Sequence, residues 1–184
     1  MGYFIGYGSL VNRRTHAFAD VHPARLTGWR RMWRRTDRRA AAYLTVVPDT
    51  GCEIEGLVAA VPAGDWAALD LREAAYARIA ARHQIDAPLP SEAQVVVYAI
   101  EDGLHHPPDT GSPVLLSYID VVVQGYLHMF GEDGVARFFD TTGGWEAPVL
   151  DDRASPIYSR HQELSAQETA LVDDMLARVG ARLR

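Results

Sequence analysis

The chain has 184 residues, 48% of them hydrophobic and 23% charged, with a net charge of −6. That balance describes a globular chain and excludes disordered and collagenous classes, and the length fits one domain, residues 1–184, able to bury a core without disulfides. The only cysteine, Cys52, has no disulfide partner and rules out a Cys-based zinc or iron–sulfur site, so a reducing, cytoplasmic setting with no metal or cofactor is expected.

The first residues run straight into Tyr3-Phe4-Ile5, without the basic and long apolar regions of a secretory signal. No apolar stretch reaches the roughly 18 residues of a spanning helix, so no membrane association is expected. Tyr3 to Tyr7 reads as a short buried strand that stops at Gly6-Tyr7-Gly8-Ser9, where glycines free the backbone for a tight loop. Arg25 to Arg35 reads as a half-exposed strand bending near Gly28. Tyr43 to Val47 and Ile54 to Val61 read as two strands of a hairpin turned at Pro48-Asp49-Thr50-Gly51. From Asp65 to His83, Trp66, Leu69, Tyr76, Ile79 and Ala80 recur at helical spacing among alanines, which predicts a helix.

Val95 to Ile100 is a further strand, and Glu101 to Gly111 a polar surface loop. Ser112-Pro113 fits an N-cap and first turn for an apolar helix through Leu115, Tyr118, Ile119, Val122, Tyr126 and Met129. Phe138 to Tyr158 is irregular, and Ser165 to Leu183 is an amphipathic helix with Leu171, Met175, Leu176 and Val179 inward. Hairpins and helices out of strict alternation predict an α+β fold whose mixed sheet curls toward a small barrel flanked by helices.

On the predicted helix Glu73 shares the apolar face with Trp66, Leu69, Tyr76 and Ala80, and no basic residue three or four positions away can pair with it. A carboxylate desolvated without a cation has a raised pKa, the condition for accepting and returning a proton near neutrality. The competing reading is a structural ion pair with an arginine of the Arg30–Arg39 strand. The Gly6–Ser9 turn can present N–H groups and the Ser9 hydroxyl to an anion, although a glycine pair after a strand is more often only a turn.

Tyr7-Gly8-Ser9-Leu10 at the end of the first strand resembles the substrate-binding YGSL signature of the γ-glutamylcyclotransferases. Leu69-Asp70-Leu71-Arg72-Glu73-Ala74-Ala75-Tyr76 is similar to a second segment of that family, nearest its ChaC-like branch, and Tyr118 to Gly125 to a third. The resemblance spans about residues 3 to 125. It implies that Glu73 is the catalytic carboxylate, that Tyr7, Gly8, Ser9, Leu10 and Tyr118 bind substrate, and that the substrate is a small γ-glutamyl compound. The implied reaction is intramolecular: the α-amine of the glutamyl group attacks its own γ-carbonyl, giving 5-oxoproline and releasing an amine or amino acid. The leaving group stays open among glutathione, γ-glutamyl amino acids and γ-glutamyl amines.

Two other readings belong beside this one. A family member that binds such molecules without turnover is one. The other is a nucleic-acid module using the Arg30 to Arg39 strip with Trp29 and Trp33 interleaved, against which the acidic net charge weighs, so no nucleic-acid partner is expected. His105, His106 and Asp109 lack metal-site spacing, Cys52 reads as an inert small residue, and Trp145 with Asp151-Asp152-Arg153 stays open between a lid over the pocket mouth and the commoner case, a surface loop tying down the last helix. Nothing in the residues sets the oligomeric state.

Overall fold

In the computed structural model, which describes residues 1–184 apart from the Ala63 side chain, the elements follow in chain order. They are β1 (Gly2–Gly6), β2 (His22–Arg34), β3 (Tyr43–Ala60), α1 (Trp66–Arg72), β4 (Ala77–Ala80), β5 (Ile85–Asp86) and β6 (Gln94–Ala99). Then come β7 (Val114–Leu115), α2 (Leu116–Asp140), β8 (Thr142–Gly143), β9 (Pro148–Leu150), α3 (Ala166–Arg178) and β10 (Arg182–Leu183). Short 3-10 turns at Ser9–Val11, Arg13–Thr15, Pro62–Gly64 and Arg82–Gln84 lie between them.

Seven strands form one mixed sheet in the order β4-β6-β1-β3-β2-β5, with β8 also pairing β2. β1 is central, antiparallel to β3 and parallel to β6, and its apolar run Tyr3-Phe4-Ile5 is buried. Buried strands of this kind read as continuous apolar runs rather than alternations. The sheet curls around the first half of α2, where every residue from Leu116 to Tyr126 is buried, the mark of an interior helix. The architecture is the expected α+β mixed sheet with flanking helices.

Four local expectations are corrected. The hairpin lies between β2 and β3, and residues 43–60 are one 18-residue strand. Pro48-Asp49-Thr50-Gly51 does make a local turn, with Gly51 N–H donating to Asp49 Oδ1 at 3.1 Å. The turn is absorbed as a bulge because Gly28, at φ 85°, bends β2 at the same level, where the register shifts between Thr27 and Trp29. The Asp65–His83 helix ends at Arg72 after 7 residues, and residues 77–80 are instead a strand on β6. Alanine-rich periodicity gives way there because the Tyr76 hydroxyl donates to the Leu44 carbonyl at 2.7 Å and Ala77–Ala80 complete the sheet edge.

Ser112-Pro113 does not start a helix. Pro113 precedes β7, and α2 opens at Leu116 without a side-chain cap from its N-cap residue. The buried Asp152 replaces it, accepting from Ser117 N–H at 2.8 Å and from the Ser117 hydroxyl at 2.6 Å. Ser165 caps α3 in a reciprocal box with Glu168, and Val172, which the sequence reading passed over, is buried with Met175 and Leu176. The segment from Phe138 to Tyr158 is more ordered than expected: α2 runs on to Asp140, interrupted at Gly131 (φ 69°), and β8 and β9 follow.

Candidate active site

β1 delivers the chain into a turn that the Ser9–Val11 3-10 residues close. Val11 N–H donates to the Gly8 carbonyl at 3.0 Å and Asn12 N–H to the Ser9 carbonyl at 3.1 Å. The glycines are needed here for close approach. Gly8 has φ −118°, and a Cβ added to it would stand 2.7 Å from the Tyr118 hydroxyl oxygen. Asn12 then pins the turn to α2: it is fully buried, and its Nδ2 donates to the Val121 carbonyl at 2.9 Å and to Gln124 Oε1 at 3.0 Å. A Cβ on Gly125 would lie 2.7 Å from the Asn12 nitrogen, so helix and turn touch backbone to backbone.

Glu73 is not on a helix face. It is the residue that ends α1, where its N–H still donates to the Leu69 carbonyl at 2.9 Å. Its side chain is only 17% exposed and enters a recess also lined by Gly6, Tyr7, Gly8, Ser9, Leu10, Leu44, Tyr76, Tyr98 and Tyr118. All six residues singled out in the sequence, Glu73, Tyr7, Gly8, Ser9, Leu10 and Tyr118, therefore meet in one place. The enclosed space is about 30 Å³, room for one or two water-sized groups.

The cation beside Glu73 is its own neighbour. Arg72 Nε lies 3.4 Å from Glu73 Oε1, while its Nη1 and Nη2 donate to the Thr15 carbonyl and hydroxyl at 3.1 and 3.2 Å. Thr15 in turn donates to the Ser9 and Asn12 carbonyls, so Arg72 ties the end of α1 to the turn. The expected pairing with the Arg30–Arg39 strand is replaced by this contact, which a search three or four positions away passes over. Burial pushes the Glu73 carboxyl above the ordinary glutamate range, opposed by the charges of Arg72, Arg39 and Arg160.

Tyrosines dominate the walls. The Tyr7 hydroxyl donates to the Tyr98 carbonyl at 2.5 Å, and Tyr118 packs edge-on against Trp33, Tyr43 and Tyr158. Burial raises the phenols of Tyr7, Tyr76 and Tyr118 well above their usual value, so they stay neutral donors. Arg39 stacks over Tyr43 and Tyr76, 4.9 and 5.4 Å from the ring centres. Tyr98 and Arg39 joined the site without a local signal, because each reaches it through a contact distant in sequence, whereas Arg72 and Tyr76 stand in the same short segment as Glu73.

The arginine strip is not a continuous face. Arg31 is 1% exposed inside the core, Arg30 pairs with Asp49 at 2.7 Å, and Arg35 with Asp109 at 3.0 Å. Asp109 also accepts from Gly111 and Ser112 N–H. Among the described residues no group of three or more His, Cys, Asp or Glu is placed to hold a metal ion, and no helix is long and apolar enough to cross a membrane. Cys52 is buried, which raises its thiol pKa. Trp145 stacks on Phe139, and Arg153 joins Asp120 on α2 to Asp173 on α3.

Two larger recesses, about 550 Å³ beside Arg25 and Phe130 and about 470 Å³ beside Asp120 and His161, contain none of the six residues. Of the acidic residues lining them, Glu55 and Asp120 are already paired with Arg137 and Arg153. The smaller recess alone joins an anion-ready backbone turn to a carboxylate of raised pKa, the combination that marks a reactive site.

Comparison with known proteins bears on the fold and the family. A solved structure titled "Gamma-glutamyl cyclotransferase" superposes with a TM-score of 0.58 at 13% identity, covering 94% of this chain and 98% of that one. YkqA from Bacillus subtilis gives 0.55 at 17% identity over 73% of this chain and 51% of that one. A human protein described as uncharacterized gives 0.52 at 12% identity over 93% and 97%. These likenesses show the fold. Among curated proteins none matches significantly. The family model for "Gamma-glutamyl cyclotransferase, AIG2-like" matches residues 4–118, the stretch that builds the turn, Glu73 and Tyr118, and the chain belongs to that family.

Proposed function

We propose that this chain cyclises the γ-glutamyl group of a small substrate, releasing 5-oxoproline and an amine or amino acid, with Glu73 as the proton carrier. The observation that carries the reading is the buried Glu73 carboxylate, its pKa raised, in the same recess as the Tyr7–Leu10 turn. The ionised carboxylate takes a proton from the substrate α-ammonium. The freed amine attacks the γ-carbonyl, and the oxyanion that forms is met by main-chain N–H groups of the turn. Glu73 then returns the proton to the departing nitrogen as the C–N bond breaks, and the extra proton left on the ring nitrogen passes to the released amine, which departs as an ammonium. Such proton transfer is worth about 10²- to 10⁴-fold in rate.

Tyr7 and Tyr118 both line the recess with the turn, so a glutamyl chain entering there is held bent, with its amine near its own carbonyl. Pre-placed ring closure of this kind reaches effective molarities of about 10⁵ M or more. The recess encloses only the reacting end. Substrate carboxylates then lie toward Arg39 and Arg160, whose positive charge already acts on Glu73.

The test is 5-oxoproline release from γ-glutamyl-alanine, glutathione and a γ-glutamyl amine, by the wild type and by Glu73→Gln shown to be folded. Release by the wild type, reduced about 10²-fold or more in the variant, is expected. Equal release by the variant would overturn the role of Glu73. Binding of these compounds without any release would make the chain a binding member of the family instead.

A further inference from the structure

Arg31 is an unusual core residue. It is 1% exposed, and all its hydrogen bonds end on neutral groups: Nε on Thr142 Oγ1 at 3.1 Å, Nη2 on Thr141 Oγ1 at 2.6 Å, and Nη1 on the Glu55 carbonyl and the Tyr126 hydroxyl, each at 2.8 Å. Its guanidinium carbon sits 5.1 and 4.9 Å from the ring centres of Tyr126 and Phe138. The Glu55 carboxylate, the nearest acidic group to enter its electrostatics, is bonded to Arg137 instead. A buried cation without a bonded carboxylate is costly, and an apolar side chain would fill this space more cheaply. Something other than stability keeps it there.

The charge leads to the site. The Tyr126 oxygen that accepts from Arg31 stands 3.0 Å from the Tyr7 carbonyl and 2.7 Å from the Glu55 carbonyl. The phenol has one proton to give. The Glu55 carbonyl, though nearer, already receives an Arg31 N–H, whereas among the described residues no other donor reaches the Tyr7 carbonyl, so the proton serves Tyr7. The Tyr7 carbonyl and the Gly8 N–H belong to one conjugated peptide unit. Drawing electrons toward that oxygen makes the N–H on the other side a stronger donor, as in any polarised hydrogen-bond chain. Gly8 lines the same recess as Glu73.

We propose that Arg31 and Tyr126 are positioning residues for the turn: the buried guanidinium acts through the Tyr126 hydroxyl on the Tyr7 carbonyl, and so sharpens the Gly8 N–H as a donor to the anion formed in the recess. Its catalytic part rests on the cyclotransferase reading above. Neither residue touches substrate. Arg31 supplies a charge that water cannot screen, and Tyr126 passes it on without bringing a second ionised group into the site. The Tyr126 phenol is pushed up to about 12 by burial, partly offset by Arg31, so it remains a proton donor throughout the working range.

Tyr126→Phe keeps the ring against Phe130 and Phe138 and removes only the relay atom, while 3-fluorotyrosine at 126 makes that atom a better donor. Two readouts are taken: the Gly8 amide proton resonance without ligand, and kcat and KM for 5-oxoproline release. The expected result is an upfield Gly8 shift and a kcat loss of about tenfold in Tyr126→Phe at nearly constant KM, less than the 10²-fold of a directly contacting donor. Fluorotyrosine should move both the other way. A structural role alone gives no opposite response to fluorine. A Gly8 resonance indifferent to both changes overturns the relay, and a resonance that moves while kcat does not overturns its catalytic part. A resonance that tracks the donor in a chain releasing no 5-oxoproline supports the relay and refutes the cyclotransferase reading.

Discussion

Gly125→Ala tests whether the turn is held by direct contact with α2. A Cβ at this position meets three atoms of Asn12, its nitrogen, Cα and Cβ, at 2.7, 2.8 and 2.9 Å, all shorter than real Cβ contacts allow. Asn12 has nowhere to go, since its N–H holds the Ser9 carbonyl and its amide holds Val121 and Gln124. Two effects compete. Alanine improves helix propensity over glycine by about 1 kcal/mol. Overpacking a rigid core costs about 1 to 3 kcal/mol, and contacts with pinned backbone belong at the upper end. The clash wins by about 1 to 2 kcal/mol, which for a domain of this size lowers Tm by about 2 to 8 °C. Because relief of the clash displaces Asn12 and with it Ser9, 5-oxoproline release should fall as well. Calorimetry and turnover are compared with Gly51→Ala, whose Cβ has no neighbour nearer than Asp49 Oδ1 at 3.6 Å and which should change stability by less than about 0.5 kcal/mol. A Gly125→Ala protein as stable and active as wild type would refute the close-contact account.

The charge on Glu73 carries three further expectations together with one on the helix tie. Its folded pKa is raised, so the stability it contributes is complete below the ordinary glutamate pKa and is lost as pH rises through the folded value. Glu73→Gln, always neutral, should therefore raise Tm at neutral pH and give no gain in acid, read by thermal melts across pH. For the same reason kcat/KM of the wild type should rise with pH through an apparent pKa above the usual glutamate range. Arg72→Met removes a charge that lowers this pKa, and its acid limb should move to higher pH; an unmoved limb would count against the 3.4 Å contact. Asp120→Ala strips the buried end of the Arg153 bridge, held by two bonds of 2.8 and 2.7 Å, and should cost about 3 kcal/mol by denaturant melt, part of which the Arg153→Met second change restores.

The parts of this fold that were legible in sequence are those set by local pattern. The β1 run, the bend at Gly28, β6 and the amphipathic α3 all stand where composition and period put them. The failures share a cause. At Pro48–Gly51 a true local turn is overridden by pairing with β2 along its length, and at Ala74–Ala80 helical spacing yields to an open sheet edge on β6. Tertiary pairing decided both. In the site, Glu73 lies where helical periodicity pointed but for another reason, as the last turn's cap rather than a member of an apolar face. The turn glycines were chosen for backbone freedom and are needed for clearance from Tyr118 and Leu10. Arg72 was hidden by adjacency, and Arg31 by an assumption that arginines in a strand face water.

The central position of β1 bears on how the protein assembles. Its partners lie at residues 57–60 and 94–97, so the strand that comes first in the chain is among the last to be locked in place. The β2–β3 ribbon needs only its own connection and can close early, while closing loops of fifty to ninety residues delays the middle of the sheet. During synthesis β1, which leads into Tyr7 to Leu10, can pair with β3 on one side, but its other edge stays open until β6 has emerged. Chemistry therefore arrives with the final act of folding, and a nascent or truncated chain lacking residues 94–99 holds a ribbon but no competent cleft.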